Sequence, residues 1–184
     1  MTDHRELVAY HEAGHAVACY ALHRPFEYVT LVEDENGERL GHIPHPPSSR
    51  WYFDHFLNVD AAAWDSALHA LAGPVAEYRR MGGDDEWGNI HEYLKTEQIP
   101  DDGPEADQHA AENYLMIHSR ERNLYNLKGV RDSLFSLCLQ TAVALVDQYW
   151  DSITAVAEAL LEKETLSCTE ARALTTGALK LEGQ

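Results

Sequence analysis

Tyr10-His11-Glu12-Ala13-Gly14-His15-Ala16 decides how the rest of this chain is read. Two histidines four residues apart stack on one helical face, one turn above the other. The surrounding pattern supports a helix over residues 3–23. Leu7, His11, His15, Ala18 and Leu22 recur at three- and four-residue steps, which predicts one apolar stripe. Asp3 and Glu6 resemble a capping pair, and Pro25 marks the end.

The chemistry follows from the spacing. Both imidazoles can reach one ion at zinc–nitrogen distance. Glu12 lies about 100° around the helix from His11, beside the metal. There its carboxylate can take a proton from metal-activated water and return it to a leaving amine. Gly14 is read as leaving room beside the metal. A core face rarely accepts two imidazoles and a carboxylate without using them. Catalytic zinc sites usually have three protein ligands, so one more must come from elsewhere. Glu77, Asp65, Asp107, His69, His109 and His118 are candidates, and spacing leaves the choice open.

Working outward, Tyr28-Val29-Thr30-Leu31-Val32 is rich in strand formers. Asn36-Gly37 is a turn signal, and Leu40 to Ile43 can return as a second strand. Residues 44–58 hold three prolines and the aromatics Trp51, Tyr52, Phe53 and Phe56. They read as an irregular loop over a small aromatic patch, with His42 and His45 exposed nearby. Helical patterns cover 60–81, stopped by Gly82-Gly83, then about 105–122, 130–148 and 151–163. A short helix is expected within 84–99. Ser167-Cys168-Thr169-Glu170 is a capping box opening a last short helix. The pattern predicts a single domain over 1–184, mainly α with a small β-hairpin.

Composition narrows the class. The 184 residues carry 31 acidic and 14 basic side chains, a formal charge of −17. That field repels phosphate backbones and anionic membranes, so no nucleic-acid or membrane partner is expected. Three cysteines without a Cys-x-x-Cys pair argue against a disulfide framework and a thiolate zinc site. The polar start and the lack of a long apolar run near it predict a cytoplasmic protein.

The motif also resembles a known family. Residues 10–16 look like the zinc helix of the FtsH-type peptidases, the proteolytic half of the membrane AAA proteases. Val29-Thr30-Leu31-Val32 and Leu40-Gly41 look like the strand pair that follows it. Leu71-Ala72-Gly73-Pro74-Val75-Ala76-Glu77 resembles the family's Leu-Gly-Gly-Arg-x-Ala-Glu helix, with proline in place of arginine. Gly103-Pro104-Glu105-Ala106-Asp107 resembles its Gly-Ala-x-x-Asp segment, and residues 157–174 its C-terminal helices. The acidic stretch 84–102 does not match.

The resemblance implies an FtsH-like HExxH metallopeptidase fold. It implies zinc held by His11, His15 and Asp107, with Glu12 as the base and Glu77 beside a zinc histidine. The expected activity is endopeptidase cleavage of unfolded or small polypeptides. An extended substrate would add to the edge of the Tyr28–Val32 hairpin. No phosphate-cradling Gly-x-x-x-x-Gly-Lys-Ser/Thr loop occurs, so any ATPase or unfoldase would be a separate partner. The competing expectation is a catalytically silent zinc-containing module that captures a peptide or regulates a partner. The oligomeric state is left open.

Overall fold

A computed structural model of the chain describes residues 3–33, 40–44, 59–83, 87–96, 104–120 and 128–182. Its first helix, α1 (His4–Ala21), is the helix expected from the motif. Asp3 caps it by accepting from Arg5 N at 3.4 Å. Glu6 is not its capping partner: it accepts from Arg80 Nε at 2.9 Å, tying α1 to the next helix. The burial of α1 also differs from the expected stripe. Every residue from Ala9 to Cys19 is buried, so the helix is surrounded on all sides. Ala9, Ala13, Gly14, Ala16 and Ala18 make this possible, since small side chains let neighbouring backbones come close.

Strands β1 (Tyr28–Glu33) and β2 (Leu40–His42) form the expected antiparallel hairpin. A third strand, β3 (Thr165–Ser167), pairs antiparallel with β1 on its other side. The order is therefore β2-β1-β3, and β1 is the middle strand rather than an edge. Leu166 is buried between exposed Thr165 and Ser167, the alternation of a half-buried strand. Thr30 Oγ1 shares a 2.6 Å hydrogen bond with Thr165 Oγ1, and Leu31 N donates to Glu164 O at 2.7 Å.

The remaining described helices are α2 (Val59–Arg80), α3 (Trp87–Thr96), α4 (Pro104–Arg120), α5 (Lys128–Gln148), α6 (Trp150–Lys163) and α7 (Cys168–Glu182). Helix α1 packs chiefly on α2 and α6, while α2 also carries α4 and α5. Large side chains such as Leu71, Leu139, Ile153 and Leu160 are fully buried among them. Each such side chain contributes roughly 1.5–3 kcal/mol. The expected capping box is present: Glu170 Oε2 accepts from Ser167 N at 3.0 Å, and Glu170 N donates to Ser167 Oγ at 3.3 Å. Helix α7 has 15 residues, longer than the short helix expected.

Over Gly129–Gln148, α5 is long and apolar enough to cross a membrane. Its Phe135, Cys138, Leu139, Ala142 and Val146 are buried within the protein core, whereas 28% of the whole stretch is buried and Leu137 is exposed. The three cysteines all lie on helices and none is paired. Burial pushes the Cys19 and Cys138 thiols up to about 12. The aromatic segment 45–58 lies outside the described residues.

Candidate metal centre

The site begins with two rings on α1. His11 and His15 have ring centroids 4.8 Å apart, crossed at 76°. His11 Nδ1 is 2.8 Å from Glu77 Oε2, and His15 Nδ1 is 2.9 Å from His69 O. An ionised carboxylate and a carbonyl can only accept, so each Nδ1 donates its proton. Each Nε2 of a neutral ring then presents a bare lone pair.

Those lone pairs converge. The two Nε2 atoms are 3.1 Å apart, and Asp107 Oδ2 lies 3.0 Å from His11 Nε2 and 3.2 Å from His15 Nε2. Three acceptors facing one another repel unless a cation or a proton sits among them. A tetrahedral ion with ligands at about 2.0–2.1 Å needs donor separations of about 3.3 Å. The observed triangle is within a few tenths of an ångström of that, so the donor set fits a small divalent cation.

Without a metal ion, the charges at the site favour a proton in that place. Burial lowers the pKa of His11, but its hydrogen bonds and charge interactions with Asp107 and Glu77 outweigh this and raise it well above 6.5. Burial raises that of Asp107, yet the charges and hydrogen bonds of His15 and His11 hold its carboxyl far below the usual carboxylate range. Glu77 follows the same logic. Burial opposes ionisation, and His11, with a smaller part from Tyr93, brings its pKa down.

Helix α2 aligns both rings. His69, Gly73 and Glu77 are four residues apart and share one helical face. The His69 ring stacks on His15 with centroids 4.8 Å apart and planes 27° apart. A methyl group on Gly73 would lie 2.4 Å from His15 Nε2, so this position must stay bare for the imidazole to fit. Pro74, where the resembled family has arginine, sits inside α2 and is fully buried.

Gly14 has a different role from the one expected. A methyl group there would lie 2.5 Å from Ala72 O and 2.9 Å from Ala76 Cβ. It faces α2 and lets the two helices approach, rather than clearing space beside a metal.

Glu12 is buried, with 7 % exposure. Its side chain runs toward β2. A methyl group on Gly41 would lie 2.8 Å from Glu12 Cγ and 2.9 Å from Oε1.

Of the six third-ligand candidates, Asp107 alone places an oxygen against both Nε2 atoms among the described residues. Glu77 touches the outer nitrogen of His11, and His69 meets His15 through its carbonyl and ring. Asp65 is half-buried near Arg24, its pKa raised by burial against the pull of that cation. His109 is exposed. The side chain of His118 and all of His45 lie outside the described residues. Gly41, Gly73 and the His69 carbonyl were not marked by sequence. Bare glycines and backbone oxygens leave no pattern, and the resembled Leu40-Gly41 and Ala72-Gly73 pairs are the nearest signal.

No protein-family model matches this chain. The chain is similar to ATP-dependent zinc metalloprotease FtsH 1 of Symbiobacterium thermophilum, 29% identical over 180 residues. That match covers 92% of this chain and 29% of the relative. The chain thus spans under a third of the relative's length.

Proposed function

We propose that this chain is a zinc-dependent endopeptidase acting on unfolded or small polypeptides. The observation that carries the reading is the triangle of His11 Nε2, His15 Nε2 and Asp107 Oδ2, all within 3.2 Å of one another, with Glu12 next in sequence to the first ligand. His11, His15 and Asp107 hold the ion, and Glu77 and the His69 carbonyl keep the rings in the binding tautomer. Zinc held there supplies a Lewis acid and lowers the pKa of water to about 7. Glu12 accepts a proton from the attacking water as its oxygen bonds to the scissile carbonyl carbon. It passes that proton to the amide nitrogen as the carbon–nitrogen bond breaks.

An extended substrate would pair with the sheet at β2. That strand, not β1, is the outermost described strand on the side of Glu12. By analogy with the ATP-dependent relative, an ATP-driven unfoldase would deliver unfolded chain to this site.

The test compares wild-type protein with Glu12→Gln, each loaded with zinc, on an unfolded protein digest. The variant should bind zinc as the wild type does and lose cleavage by at least about 10²-fold. Equal cleavage by both would refute the mechanism. Full zinc occupancy with no cleavage by the wild type would favour the silent binding module.

A further inference from the structure

We propose that Gly41 is a positioning residue for Glu12, and that the backbone of β2 is the wall fixing this carboxylate beside the metal. The proposal deepens the peptidase reading and rests on it for the catalytic consequence.

Three independent features meet at Gly41. Its φ is +90°, a backbone region that side-chain-bearing residues rarely adopt. The space a side chain would fill is taken by Glu12, with Cγ at 2.8 Å and Oε1 at 2.9 Å from a methyl placed there. The sheet is also irregular at this place. Thr30 pairs with His42 and Glu33 with Leu40, so Leu31 and Val32 on β1 oppose Gly41 alone on β2. That is a β-bulge, a device that re-aims a strand and is common beside active sites.

The bulge therefore falls where β2 passes the base, and the residue opposite it is the one with no side chain. Glu12 is carried on α1, and its side chain lies against this strand. A longer residue at 41 would have to push the carboxylate aside. Displacement of a catalytic group by about 1 Å can cost about 10²-fold in rate. The metal ligands sit on α1 and α4, with α2 holding the two rings by their outer nitrogens, so the ion would stay.

The experiment is Gly41→Ala, studied alone and with Glu12→Ala or Val8→Ala. The single variant should bind one zinc with a Kd within about threefold of wild type by chelator competition. Its kcat should fall about 10²-fold, with KM changed by less than about threefold. Stability provides a second readout that needs no activity. Gly41→Ala should lower Tm by several degrees in the wild-type background and by clearly less when Glu12 is already alanine.

Val8 is the control, because Val8 Cγ1 lies 3.1 Å from the same methyl position. Relief by Val8→Ala but not by Glu12→Ala would make Gly41 an ordinary packing residue and overturn the proposal. So would equal Tm losses in all backgrounds, or unchanged kcat in an active enzyme. If the wild type hydrolyses nothing, the peptidase reading falls, while the pattern of Tm losses still decides whether Gly41 positions Glu12.

Discussion

Replacing Glu77 separates a zinc ligand from the group that orients one. Its Oε2 lies 2.8 Å from His11 Nδ1, with side-chain exposures of 10% for His11 and 13% for Glu77. A hydrogen bond to a charged group in such a setting is worth roughly 1.5–3 kcal/mol. Losing the outer partner of a metal-bound histidine typically costs about 10–100-fold in metal affinity, or about 1.4–2.8 kcal/mol at about 1.4 kcal/mol per decade. The two ranges agree, so Glu77→Ala should weaken zinc binding by about 10–100-fold. Glu77→Gln keeps an acceptor oxygen for Nδ1 and should lose less. Asp107→Ala removes the oxygen that faces both Nε2 atoms and should lose more than either. The assay is zinc competition against a chromophoric chelator at fixed pH. If Glu77→Ala cost more than Asp107→Ala, the ligand assignment would be wrong. If Glu77→Ala matched wild type, the hydrogen bond would have no part in holding His11.

Two further predictions concern packing and pH. Gly14→Ala puts a methyl 2.5 Å from Ala72 O, so the helices must separate. Overpacking of this kind costs about 1–3 kcal/mol, and a thermal midpoint equal to wild type would refute the close approach. In metal-free protein His11 has a raised pKa. Its stabilising contribution is present below about 6.5 and is lost as pH rises through the folded value. Zinc must displace that proton, so its affinity rises with pH until the raised folded value is passed. Asp107 and Glu77, both shifted down, remain ionised there and add no slope until pH falls below about 4. The Tm gap between zinc-loaded and chelator-treated protein should therefore widen as pH rises toward the raised folded value of His11. A constant gap measured by scanning fluorimetry would contradict this.

The helices and the His11–Glu12–His15 triad are legible because their signals are local. Periodicity, caps and an i, i+4 pair need only a few neighbouring residues. Asp107 was one of several open candidates by spacing and was singled out by resemblance, since nothing local says which distant helix turns toward α1. Strand β3 was not legible. Thr165-Leu166-Ser167 is a strand only because it meets Tyr28–Thr30 across most of the chain. The full burial of α1 was hidden for a related reason. Alanine and glycine carry little hydropathic contrast, so a helix packed on every side looks striped by its few larger residues. The role of Gly14 is likewise hidden in the sequence, because a missing side chain does not reveal which neighbour comes close.

The two histidines take their outer hydrogen bonds from one helix, at His69 and Glu77. Those anchors are eight residues apart, about 12 Å of rise. Asp107 arrives on a separate element, α4, encoded later in the chain. The three donors meet only when α4 is packed on α2. Any arrangement of the chain that leaves α4 undocked offers two imidazoles and lacks the oxygen that faces them. Metal affinity is therefore a reporter of tertiary assembly, and not of the local motif alone.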